Sequence, residues 1–132
     1  MLRPPEDYPL AFYHQDCAPW DGPAVSLYLV QEPMTTPFMA PLPHLRVSVY
    51  GALHRLVGET LQWNGTQSDQ GYAGRCPAEG TCEPATSARV RVRGWDSAGG
   101  GMTGDVELEF GDGSREAGSF DGTRLDFQPL CG

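Results

Sequence analysis

The sequence predicts an all-β domain, an antiparallel β-sandwich or small β-barrel of about seven to nine short strands with little or no helix. Three observations carry this expectation. Apolar residues alternate with arginines across Ala88-Arg89-Val90-Arg91-Val92-Arg93, and with acids across Asp105-Val106-Glu107-Leu108-Glu109-Phe110, a period of two in each. Seventeen glycines and twelve prolines are scattered through the 132 residues and interrupt every helical period. Between these breakers, short apolar runs recur at the spacing of sheet proteins.

Strands are expected at Leu10 to Gln15, Ala24 to Gln31, Leu45 to Leu53, Leu56 to Trp63, Gly71 to Arg75, Ser87 to Trp95, Asp105 to Phe110, Arg115 to Phe120 and Thr123 to Gln128. They follow an N-terminal tail over residues 1–8, in which Met1-Leu2-Arg3-Pro4-Pro5 lacks the apolar stretch of a signal peptide. The whole chain, 1–132, is one domain's worth.

The alternating segments pair as a hairpin if Arg93 stands opposite Asp105, Arg91 opposite Glu107 and Arg89 opposite Glu109. Val92, Val90 and Ala88 then meet Val106, Leu108 and Phe110 on the buried face. Gly99 to Gly104 contains a Gly-x-Gly-x-x-Gly match, but a strand follows it instead of a helix, so it reads as a hairpin loop. After Phe110, a three-residue loop with a left-handed Gly113 sets Val106 opposite Gly118 and buries Phe120. A tight turn at Asp121-Gly122 then returns Leu125 and Phe127 to the same face.

Residues 33–43 break strand grammar. Pro33, Pro37, Pro41 and Pro43 exclude a central strand, while Met34, Phe38, Met39 and Leu42 are too apolar for a simple solvated loop. The segment is either a crossover closing one end of the core or a docking loop facing a ligand or partner.

Four cysteines in a small β-patterned chain point to two disulfides and an oxidising, extracytoplasmic compartment, periplasmic or secreted. Of the three connectivities, Cys76 with Cys82 closes a loop containing Pro77 and Gly80, and Cys17 with Cys131 ties the first strand to the last. In the chain-entropy account these contribute about 2.4 and 4.7 kcal/mol. The rival, a structural zinc site, lacks a Cys-x2-Cys pair. A disulfide implies that the chain is the mature part of an exported precursor.

All nine positive charges are arginine, against seventeen acids, for a net charge of −8. That balance argues against nucleic acid and anionic membrane as partners, and no apolar run is long enough to span a bilayer.

Candidate chemistry is sparse. His14, His44 and His54, or the soft set Met34, Met39 and His44, could approach a metal, yet neither has diagnostic spacing. His14-Gln15-Asp16-Cys17 brings a thiol near an imidazole, but positions i and i+3 of a strand face opposite ways. Glu107 and Glu109 are accounted for by the arginine ladder, Asn64-Gly65-Thr66 is a glycosylation sequon, and Trp20, Trp63 and Trp95 read as plugs at the ends of a β core.

The resulting expectation is a non-catalytic exported β domain, without metal or cofactor. It would bind a protein or other macromolecule through end loops, with Met34, Phe38, Met39 and Leu42 as the candidate surface. Alternatives are a lipocalin-like small-ligand barrel, which needs an internal cavity, a self-associating structural subunit of a surface or capsid assembly, and an intracellular acidic inhibitor with free thiols.

Overall fold

The alternating segments become strands of one sheet. The computed structural model describes residues 4–66, 68–98, 100–127 and 129–131. Its elements are β1 (Leu10–Cys17), β2 (Pro23–Val30), β3 (His44–Tyr50), a one-turn helix α1 (Leu53–Leu56), β4 (Thr60–Asn64), β5 (Gly71–Ala78), β6 (Thr81–Pro84), β7 (Ser87–Trp95), β8 (Met102–Glu109) and β9 (Arg115–Arg124). The nine strands form a single curled sheet, a half-barrel, in the order β4-β7-β8-β9-β1-β2-β3-β5-β6. All neighbours are antiparallel except β1 and β9, which run parallel through Ala11 to Tyr13 and Gly122 to Arg124.

The inward residues of every strand except β6 meet in one core. Tyr13, Val25, Leu27, Leu29, Leu45, Val47 and Val49 from one half face Val90, Val92, Met102, Val106, Leu108 and Phe120 from the other. Two contacts hold the curl. Trp63 on β4 packs over Gly71 on β5, where an added Cβ would stand 2.6 Å from the indole. Arg75 on β5 lies 4.0 Å from the Phe110 ring, donates to Ser114 at 2.7 Å, and pairs with Asp112 at 3.1 Å and Glu83 at 2.8 Å.

The faces of the β7–β8 hairpin match the expectation, with Arg89, Arg91 and Arg93 exposed and Ala88, Val90 and Val92 buried. The register differs by two residues. Arg91, not Arg93, is opposite Asp105, and Arg89 is opposite Glu107. The reason lies at Gly104, which continues the strand opposite Val92. A side chain there would collide with the Arg91 carbonyl and come within 2.6 Å of the Phe120 ring. The expected loop residues Met102 to Gly104 are therefore paired strand, and Met102 is core. A bulge between Val92 and Gly94 lets Arg93 still reach Asp105 at 3.3 Å. Parity cannot detect a shift of two, because it keeps every side chain on its face.

The bulged loop after Phe110 stands as expected, with Gly113 at φ 86°, Val106 opposite Gly118 and Phe120 buried. The Asp121-Gly122 turn is absent. β9 runs straight on because Gly122 fits against Tyr13 of the parallel neighbour β1, 3.3 Å from an added Cβ. Leu125 is consequently buried on the outer side of the sheet with Tyr28, Val30 and Met34, and Phe127 is half-buried there.

Other boundaries moved. Leu53 to Leu56 form α1, whose two leucines plug the core, so β3 ends at Tyr50 and β4 starts at Thr60. β5 runs on to Ala78 and turns at Gly80, φ 74°, into the unexpected strand β6. Tyr8 of the N-terminal tail is buried in the core. Gln128 at the expected end of the last strand, Gly99 of the expected loop and Met1 to Arg3 lie outside the described residues.

Both disulfides pair as expected, Cys17 with Cys131 and Cys76 with Cys82. They are compatible with an oxidising compartment. No helix among the described residues is long and apolar enough to cross a membrane.

Candidate functional site

The outward residues of β1, β2, β3 and β5 are unlike those of an ordinary solvated face. On β3 the inward Leu45, Val47 and Val49 alternate with outward His44, Arg46, Ser48 and Tyr50. Register sets Tyr28 of β2 across from Arg46, and Arg46 across from Gly74 of β5; in the adjoining row Ser26, Ser48 and Tyr72 are partners. The Pro-rich segment folds over one side of this patch. Pro37–Met39 makes a 3-10 turn capped by Thr36 Oγ1, which accepts from the Phe38 amide at 3.3 Å. On the other side rises the β5–β6 hairpin with its Cys76–Cys82 bridge.

Between these walls lies an open cleft of about 950 Å³. Its lining includes Asp16, Tyr28, Phe38, Met39, Leu42, His44, Arg46, Tyr50, Tyr72 and Cys82. The size falls in the range of small-molecule sites, and so does the mixture of many apolar groups with a few polar ones. A second depression, about 450 Å³, lies between Pro4, Glu6 and the charged ladder of β7 to β9.

A polar network underlies the cleft. Ser26, fully buried, donates to Asp16 Oδ2 at 2.6 Å and lies 3.0 Å from the Ser48 hydroxyl. The Cys17 amide donates to Asp16 Oδ1 at 2.8 Å, and Arg46 lies 3.7 Å from Oδ2. Burial pushes the Asp16 carboxyl up, but the bonds from Ser26 and Cys17, aided by His14 and Arg46, hold it below its ordinary value. Asp16 is therefore an engaged, ionised anchor. His14, 2% exposed, stacks on Tyr28 with ring centres 5.8 Å apart, and its Nε2 is 3.3 Å from the Tyr28 hydroxyl. Phe127 meets His14 edge-on at 5.2 Å and Phe38 at 5.0 Å, which joins the roof to the network. The Arg46 guanidinium sits 5.6 Å from the Tyr28 ring centre. Burial raises the phenols of Tyr28 and Tyr50.

His44 gives the cleft a pH dependence. Burial lowers its pKa; the hydrogen bond with the Pro41 carbonyl at 3.1 Å opposes that shift, and the Arg46 charge adds to it. A depressed folded pKa means that the unfolded chain takes the proton first as pH falls. Its contribution is thus complete above the ordinary value of 6.5 and is lost as pH drops toward the folded value. Melting temperature followed from about pH 8 to pH 5 is expected to decline on the acid side, and His44→Gln should remove that part of the decline. An unchanged profile in the variant would contradict the assignment.

The sequence-derived candidates separate into two groups. Phe38, Met39 and Leu42 are 76%, 78% and 43% exposed on the wall of the cleft. Met34 is not a surface residue: it is 6% exposed and packed with Tyr28, Val30 and Leu125. Besides Tyr28 and Val30 of the preceding strand, the cluster that buries it takes Leu10 and Phe12 from β1 and Leu125 from beyond β9, which the local pattern could not show. Met34→Ser should cost about 2 to 4 kcal/mol. Phe38→Ser with Met39→Ser should change stability by no more than about 0.5 kcal/mol, both read by denaturant unfolding.

The remaining candidates are placed apart from one another or tied up. His14 and His44 both touch Tyr28, whereas His54 is exposed on α1. Among the described residues no group of three His, Cys, Asp or Glu side chains is set to hold a metal. Cys17 is bridged to Cys131 and holds no free thiol. Glu107 pairs with Arg115 at 3.2 Å, and Asn64 of the sequon is exposed at the end of β4. Trp63 is core and Trp95 packs against it, but Trp20 is 57% exposed, edge-on to Tyr50 at 5.1 Å beside the cleft.

Apart from His44 and Cys76, the cleft residues on β2, β3 and β5 were not singled out from sequence. Their signal was present in the alternation His44-Leu45-Arg46-Val47-Ser48-Val49-Tyr50, whose polar members are too aromatic and too varied for a plain wet face. Compared with protein families, with curated proteins and with solved structures, the chain matches none.

Proposed function

We propose that the protein is a non-catalytic binding domain, exported to an oxidising compartment, that takes a macromolecular partner in the cleft on the outer face of the sheet. The observation that carries this reading is the position of Phe38 and Met39. Two large apolar side chains, each more than three-quarters exposed, stand over a concave surface floored by Tyr28, Arg46 and Tyr72. Exposed apolar groups gathered at a cleft mark contact sites far more often than chance placement on a surface.

Binding rather than catalysis is favoured by the state of the polar groups. Asp16, the carboxylate beneath the cleft, already accepts bonds on both oxygens, and the Ser26 hydroxyl that donates to it is fully buried. A general base or nucleophile needs a reacting atom within reach. An external site is favoured over a lipocalin-like interior because Tyr13, Leu29, Leu45, Val106 and Leu108 fill the concave side of the sheet.

The test is a ligand-observed NMR screen of small amphipathic fragments against the wild type and the Phe38→Ser, Met39→Ser double variant. Fragments should bind the wild type and lose most of their saturation transfer in the variant, at nearly unchanged melting temperature. Equal binding to both proteins would remove the cleft from the proposal.

A further inference from the structure

We infer that the occupant of this cleft is an uncharged oligosaccharide, one of whose sugar rings stacks on Tyr72; this rests on the binding reading above and gives it a ligand class. Gly74 shapes the floor of the cleft. A Cβ there would stand 3.0 Å from the Tyr72 hydroxyl and 3.5 Å from the ring carbon that bears it. The missing side chain lets the Tyr72 ring lean along β5 over Gly74 instead of standing up from the sheet. The ring thus forms part of the cleft floor, next to Arg46, the cross-strand partner of Gly74. Tyr50 lines the same cleft, with Trp20 edge-on beside it.

Around these rings hydrogen-bonding capacity is left over. Among the described residues the hydroxyls of Tyr50 and Tyr72 and Nε2 of His44 have no hydrogen-bond partner, and the only contact of the Arg46 guanidinium with an acid is the 3.7 Å pair with Asp16. A pyranose has one face of C–H bonds, suited to the negative face of an aromatic ring, and a rim of hydroxyls that each donate and accept. Flat phenols ringed by a guanidinium, an imidazole and hydroxyls complement both parts.

Competing occupants fit less well. An extended peptide adding to a sheet uses backbone groups along an open edge. The floor here is the face of β2, β3 and β5, where the ladders already use those groups. Nucleotides and acidic glycans would meet a chain of net charge −8, with Asp16 and Glu79 also lining the cleft.

The full chain is titrated with glucan, mannan, galactan and N-acetylglucosamine oligomers, with oligogalacturonate and a proline-rich peptide as comparison ligands. Binding is followed by calorimetry and by the Tyr50 and Tyr72 ring resonances. At least one uncharged oligomer should bind saturably and shift those rings. Tyr72→Ala should weaken binding by roughly tenfold or more, whereas Tyr72→Phe should stay within roughly threefold. The inference is overturned if no uncharged oligomer binds, if oligogalacturonate or the peptide binds these rings instead, or if Tyr72→Ala binds like the wild type. Fragment binding in the cleft without any oligosaccharide binding would keep the site and reject the saccharide; loss of both would reject both.

Discussion

Val90→Asp is expected to abolish folding at ordinary temperatures, while Arg89→Glu one position away leaves the protein close to wild type. Val90 is 2% exposed at the centre of β7, between β4 and β8, with Val106 directly opposite. Among the described residues the core around it holds no cation to pair with a carboxylate. An unpaired buried charge costs more than about 4 kcal/mol, a large share of the 5 to 15 kcal/mol that typically separates folded from unfolded domains. Arg89 projects into solvent opposite Glu107, which already pairs with Arg115. Reversing its charge adds one screened repulsion, under about 1 kcal/mol. Denaturant unfolding of the two variants checks the contrast. Equal losses would mean that the inward and outward faces of β7 have been exchanged.

Removing the Cys17–Cys131 bridge carries the second large effect. The bridge joins the end of β1 to the C-terminal segment across 114 residues. By the chain-entropy account, opening so long a loop costs about 4.7 kcal/mol, against about 2.4 kcal/mol for the six-residue separation of Cys76 and Cys82. The paired variants Cys17→Ser with Cys131→Ser, and Cys76→Ser with Cys82→Ser, measured by denaturant unfolding, should keep that order. The short bridge has a local consequence instead. Both of its cysteines line the cleft, so its loss should weaken binding more than its stability cost suggests. The reverse order of stability losses would show that the C-terminal segment stays docked without its covalent tie.

How much of this was legible follows from what each feature depends on. Strand faces are local, and the alternation in β7 and β8 gave them correctly. The disulfide pairing was legible because Pro77 and Gly80 suit a tight closure and because the other two cysteines sit near opposite chain ends. Register is not local: it was set by Gly104 making room for Phe120, a contact across β8 and β9 that no window of sequence displays. The same holds for Gly122 against Tyr13, which replaced an expected turn by a parallel pairing that closes the sheet order through β1. For the site, the Pro-rich segment was picked out by its conflict between proline and apolar content, and Phe38, Met39 and Leu42 do line the cleft. Its floor was not foreseen. β2 reads as an almost continuous apolar run, and the polar Ser26 and aromatic Tyr28 within it acquire meaning only once β3 and β5 bring Ser48, Arg46 and Tyr72 alongside.

Side-chain NMR of the full chain, titrated with a ligand from the fragment or oligosaccharide screen, distinguishes a filled interior with a binding cleft outside it from a ligand-holding interior. The ring signals of Tyr28, Tyr50 and Tyr72 should move saturably, while the methyl signals of Leu27, Val47, Val106 and Leu108, on the opposite side of the same sheet, stay in place. Saturable shifts of those interior methyls, with the tyrosine rings unmoved, would contradict the account and put the ligand inside the half-barrel.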